Sequence, residues 1–114
     1  MHGVRQRLAS TLLEIEAELR RLGWWEEQAP STQALASQQP FCLDSLRPEQ
    51  WLQWVLLPRM QAILEQNAPL PGQSGLFVYF EECWRNRGVE CAALLALLTR
   101  FDELIAIDAA ARRH

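Results

Sequence analysis

Val4, Leu8, Leu12, Ile15, Leu19 and Leu22 recur at spacings of four, four, three, four and three residues. That rhythm draws a single apolar stripe along a helix, and such a stripe has to be buried against other elements. No other segment alternates apolar and polar residues as a half-buried strand does, so a sheet has nothing to assemble from. The expected fold class is therefore all-α. Leu13 is expected to widen the stripe, Glu16 stands four residues before Arg20 in the favourable orientation, and Gly23 supplies a stop that tolerates positive φ. A bundle helix is the simplest use of this pattern; a coiled-coil homodimer is the other.

Residues 24–47 form a long irregular strap, and a connection of that length either carries function or contains short helices of its own. Ser31 or Thr32 is placed to cap a turn over 33–37, and Phe41, Leu43 and Leu46 are expected to anchor the strap to the core. A second helix should begin at Pro48, with Asp44 or Ser45 serving its free amides, and run to about Asn67. Pro58 lies inside it, lacks an N–H and crowds the preceding turn, which predicts a kink. Leu76-Phe77-Val78-Tyr79-Phe80 would suit a strand, but without a sheet to join it reads as a helix over 75–86 capped by Ser74. Leu76, Phe80, Cys83 and Trp84 then share a face. A last helix over 89–109 is apolar nearly all round from Cys91 to Leu98, turns Phe101, Leu104 and Ile105 inward, and ends in a fraying tail. The expected architecture is one domain over 1–114, a compact four-helix bundle with a long strap between helices 1 and 2 and a proline-kinked helix 2.

Charge and composition narrow the function classes. The net charge is −3 and the eleven cations, all arginine, are scattered, which disfavours direct nucleic-acid binding. No run approaches the roughly 20 apolar residues of a membrane span, and the N-terminus lacks the apolar core of a secretory signal; the expected address is cytoplasmic. Cys42, Cys83 and Cys91 make no C-x-x-C pair, and the histidines are His2 and His114, so no metal site and no cofactor are expected. The thiols are expected to be reduced and mostly buried. No catalytic set emerges either. Glu81 and Glu82 are neighbours pointing to different faces, Ser45 and Cys42 lack an activating base, and the Leu-Pro-Gly-Gln-Ser-Gly stretch has no phosphate-loop spacing.

At about 100° per residue, helix 2 divides into two apolar sectors. Trp51, Leu52, Val55, Leu56, Ala62 and Ile63 form the expected core face, and Trp54, Leu57 and Leu64 lie opposite among Gln50, Gln53 and Gln61. The second sector is either covered by the strap, through Trp24, Trp25 and Phe41, or offered to a partner. Arg59 falls at the centre of the core sector, where it would need a carboxylate from Asp44, Glu81 or Glu82.

Pro40-Phe41-Cys42-Leu43-Asp44-Ser45-Leu46, followed by Trp51-Leu52-Gln53-Trp54-Val55-Leu56-Leu57-Pro58-Arg59-Met60 and then Leu70-Pro71-Gly72, closely resembles the YqcC-like family. The resemblance implies a small all-helical proteobacterial protein with no assigned catalysis, often encoded beside a tRNA pseudouridine synthase and sometimes carrying that enzyme's name by association. The chain is expected not to be such an enzyme. Two function readings follow. One is a non-catalytic accessory protein that binds a protein partner, such as a tRNA pseudouridine synthase, through Trp24, Trp25, Phe41, Asp44, Trp51, Trp54, Leu57, Pro58, Arg59 and Met60. The other is a small-molecule or peptide-binding module with a pocket around Arg59, Asp44 and the neighbouring aromatics.

Overall fold

A computed structural model of the chain describes residues 3–112. His2, His114 and Arg113 lie outside the described residues, as does the end of the expected fraying tail. Six α-helices follow in order: α1 (Val4–Arg21), α2 (Thr32–Leu35), α3 (Pro48–Trp51), α4 (Leu57–Glu65), α5 (Leu76–Cys83) and α6 (Ala92–Arg112). A π turn over Leu52–Leu56 joins α3 to α4, so that 48–65 is one continuous helical rod. Among the described residues there is no strand. The four long helical segments of the expected bundle are α1, the 48–65 rod, α5 and α6; α1 packs on α6 and α4, and α5 packs on α6.

The stripe of α1 is buried as its spacing requires, with Leu8, Leu12, Ile15 and Leu19 inside beside Thr11. Thr11 satisfies its hydroxyl by donating to the Arg7 carbonyl at 2.8 Å. Leu13 does not widen the stripe: it is 66% exposed. The helix closes in a Schellman motif, in which Gly23 (φ +77) donates to the Arg20 carbonyl and Trp24 to that of Leu19. The 48–65 rod ends the same way before the prolines are reached. There Asn67 (φ +53) donates to Leu64 and Ala68 to Ile63.

The proline is accommodated by widening the helix. Leu57 donates to the Leu52 carbonyl, five residues back, and Pro58 follows directly. The extra residue in that turn rotates everything after it, and this overturns the expected sectors. Leu57 and Met60 are buried, whereas Ala62 and Arg59 face solvent. Arg59 therefore needs no buried partner, and none of Asp44, Glu81 and Glu82 pairs with it. At the start of the rod, the Gln50 side chain accepts from the Arg47 amide at 2.8 Å. Asp44 and Ser45 do not reach the rod: Asp44 accepts from the Ser37 hydroxyl, and Ser45 donates to the Ala34 carbonyl at 2.7 Å.

In the strap, Ser31 accepts from the Ala34 amide at 3.0 Å and caps α2. A tight turn follows at Pro40–Cys42, where Phe41 (φ +58) and Cys42 (φ +49) both adopt the left-handed backbone. Such geometry favours Asn-Gly and costs a side-chain-bearing residue about 1–2 kcal/mol. The offset is the packing of Phe41, whose ring stacks on Tyr79 at 4.0 Å and meets Trp51 edge-on at 4.9 Å. Leu46 is a second buried anchor, but Leu43 is not, since it points outward.

Helix α5 is capped from a distance. Asp102, on α6, accepts from the amides of Leu76 at 3.0 Å and Phe77 at 2.9 Å. Ser74 does not cap α5 but donates its hydroxyl to the same carboxylate. Leu76, Phe80 and Trp84 are buried as expected; Cys83, the last residue of α5, is exposed, while Cys42 and Cys91 are buried. The chain then passes through a 3-10 segment, Arg85–Cys91, with Gly88 at φ +61. Consequently α6 starts at Ala92, not Val89, and remains helical to Arg112.

Candidate functional site

The Trp-Trp pair after α1 and the outer side of the rod form a cleft of about 470 Å³. Trp25, Glu26 and Glu27 come from the strap, Glu16 from α1, and Gln53, Trp54, Leu57, Pro58 and Gln61 from the rod. Its geometry depends on Glu26. The Glu26 carboxylate accepts from Trp54 Nε1 at 3.0 Å and from Gln50 Nε2 at 3.2 Å, and it pairs with Arg47 at 2.9 Å. Its backbone is held as well: the Glu26 amide donates to Gln53 Oε1 at 2.8 Å, and Gln53 Nε2 donates to the Glu26 carbonyl at 2.7 Å. Gln53 is buried, and this two-bond latch meets both ends of its amide as burial requires.

Burial pushes the Glu26 carboxyl up, but donation from Trp54 and Gln50 and the charge of Arg47 outweigh it, and the net direction is down. The group is thus held ionised. Beside it, the Arg20 guanidinium lies 4.5 Å from the Trp25 ring and reaches Glu16 at 3.0 Å, the pair expected from the sequence. Glu27 is exposed on the same rim.

The structure divides the candidate residues between places. Trp25, Trp54, Leu57 and Pro58 meet at this cleft. Phe41, Trp51, Arg59 and Met60 line a separate pocket on another face of the rod, of which Trp51 and Met60 are buried parts of the wall. Trp24 stands apart, 5.6 Å from Trp84 with Arg87 above its ring at 4.9 Å. Asp44 belongs to neither, so the pocket at Arg59 lacks the carboxylate expected for it. The expectation that the strap covers the outer sector holds for Gln53 and Leu57, which are buried. Sequence reasoning missed Glu26, the residue that organises the cleft, because its partners lie 21 to 28 positions away.

Other surfaces have less to offer chemically. Arg20, Arg21, Arg47, Arg85, Arg100 and Arg112 are each paired with a carboxylate, which leaves no basic stripe for a phosphate backbone. The Cys91 thiol is pushed up by burial and by nearby Glu90 and Glu49, away from the thiolate a nucleophile needs. Among the described residues no group of three His, Cys, Asp or Glu could hold a metal ion, and no helix is long and apolar enough to cross a membrane.

Comparison with known proteins places these features in a family. The family model DUF446, described as tRNA pseudouridine synthase C, matches residues 7–104. The uncharacterized protein YqcC of Escherichia coli is 38% identical over 103 residues, covering 90% of this chain and 94% of that protein. An uncharacterized protein of Haemophilus influenzae is 34% identical over 89% of this chain and 94% of its own length. A tRNA pseudouridine synthase C of Pectobacterium carotovorum is 37% identical over 81 residues, which are 71% of this chain but 22% of that protein. The solution NMR structure of E. coli YqcC superposes with a TM-score of 0.84 at 36% identity, covering 95% of this chain and 92% of that one.

Proposed function

This chain belongs to the DUF446 family of YqcC-like proteins, and on that footing we propose that it is a non-catalytic accessory module that docks a tRNA pseudouridine synthase through the Trp25–Trp54 cleft. One observation carries the reading. The same helical unit makes up 94% of the E. coli and Haemophilus relatives and 22% of a Pectobacterium protein named as the synthase. What that protein carries within one chain, the separate unit supplies by association, and the cleft is the surface suited to it. It is concave, walled by two tryptophans and made rigid by the Glu26 latch, the features of an interface anchor.

The chemistry of the side chains supports a binding role over a catalytic one. Glu18 and Glu26, whose carboxyls are shifted, are both shifted down, opposite to a general acid. Ser45 spends its hydroxyl on a backbone carbonyl and Cys42 is buried. Co-purification of the tagged protein with the host's synthase tests the proposal, and variants at exposed or half-buried cleft residues, Gln61→Arg and Trp25→Ala, should weaken the complex without unfolding the chain. Leu57 is unsuitable for this purpose because it is 2% exposed and its truncation would report stability. A complex indifferent to both variants refutes the cleft as the docking surface.

A further inference from the structure

A second cavity, of about 250 Å³, lies between the rod, the Pro40–Cys42 turn and the loop that leads into α5. Trp51, Leu56, Met60, Leu76 and Phe101 supply an apolar interior. Phe41 closes one side, held there on a left-handed backbone by its stack on Tyr79. The polar groups sit at the edge: Arg59, Gln73 and Ser74.

The charge at that edge is one-sided. No carboxylate lines the cavity, and Arg59 is exposed and makes no ion pair among the described residues. The nearest acid described there, Asp102, is already committed to the Ser74 hydroxyl and to the amides of Leu76 and Phe77. A second cation approaches the same edge, since Arg112 reaches the carbonyl of Pro71, a lining residue, at 3.3 Å while paired with Asp108. An apolar cavity with a free guanidinium at its mouth selects a ligand with an apolar body and an anionic end. Clefts for drug-sized ligands start at about 300 Å³, so the body is smaller than that.

We infer that this pocket binds a small organic acid, a carboxylate carried on a short aromatic or branched apolar group, with the carboxylate on Arg59. The same chemistry is presented by the C-terminal residue of a peptide that ends in an apolar side chain. The site is separate from the cleft, and its occupancy does not depend on the synthase reading.

The test is an NMR amide titration of the full chain with 3-phenylpropionate, with the matched alcohol 3-phenylpropanol, and with N-acetyl-glycyl-phenylalanine. Saturable shifts centred on Arg59, Met60, Gly75 and Leu76 are expected for the acid. The alcohol should bind about fivefold more weakly, the upper end for a solvent-exposed ion pair. Arg59→Gln, at an exposed position where the fold is not at stake, should lower the acid to the level of the alcohol. Tighter binding of the free acid identifies a small molecule as the natural class, and tighter binding of the dipeptide identifies a chain end. Equal binding of acid and alcohol, an unchanged preference in Arg59→Gln, or shifts confined to other residues would overturn the assignment, as would the absence of saturable binding.

Discussion

Replacing Asp102 by alanine should destabilise the protein through a helix twenty-six residues away. The carboxylate accepts from the amides of Leu76 and Phe77 and from the Ser74 hydroxyl, and it sits at the positive end of α5. Loss of an N-cap acceptor costs about 1 kcal/mol. The second stranded amide and the lost charge at the helix end together add about another 1–2 kcal/mol. The total is about 2–3 kcal/mol, which for a chain of this length lowers Tm by roughly 8–12 °C. Asp102→Asn keeps one acceptor and should lose about half as much. Thermal and urea unfolding measure the loss, and amide hydrogen exchange locates it, with Leu76 and Phe77 losing protection first. A cost under about 0.5 kcal/mol for Asp102→Ala, the level of an ordinary surface change, would refute the cap, as would unchanged exchange at those two amides.

The π turn predicts an inversion between near neighbours: Leu57→Ala should cost about 2–5 kcal/mol and Arg59→Ala under about 0.5 kcal/mol, whereas comparable costs would mean a regular helix. Tyr79 is the single tyrosine, and burial, with a contribution from Cys83, pushes its hydroxyl up to about 12. Because the folded value is raised, its stabilising contribution is complete below the unfolded pKa of about 10 and is lost as pH rises towards 12. Tyrosinate absorbance should therefore rise only well above pH 10, and a normal titration would contradict the buried stack on Phe41. A thiol reagent should modify Cys83 rapidly and Cys42 and Cys91 only on unfolding; rapid reaction of all three would contradict their burial.

How far the sequence could be read depended on how local the cause was. The stripe of α1 and its stop at Gly23 were legible because both arise within a few residues of chain. The strap's cap at Ser31 and the anchors Phe41 and Leu46 were legible for the same reason. The facing of residues after Leu56 was not, because the steady rotation of about 100° per residue fails where a π turn inserts a residue. That single event puts Leu57 and Met60 inside and Arg59 outside. The caps and latches at Asp102 and Glu26 join residues far apart in the chain, and no spacing rule announces them. The candidate site was half visible: tryptophans marked it, but the residue that orders them did not stand out.

The most direct test of the docking proposal is the affinity of this chain for its host's tRNA pseudouridine synthase, measured by calorimetry with wild type, Gln61→Arg and Trp25→Ala. A complex with wild type is expected, and loss of the Trp25 anchor should weaken it by about thirtyfold, the effect of a hot-spot truncation near 2 kcal/mol. Gln61→Arg should weaken it at unchanged Tm. No measurable complex, or one in which both variants bind like wild type, would contradict the proposal.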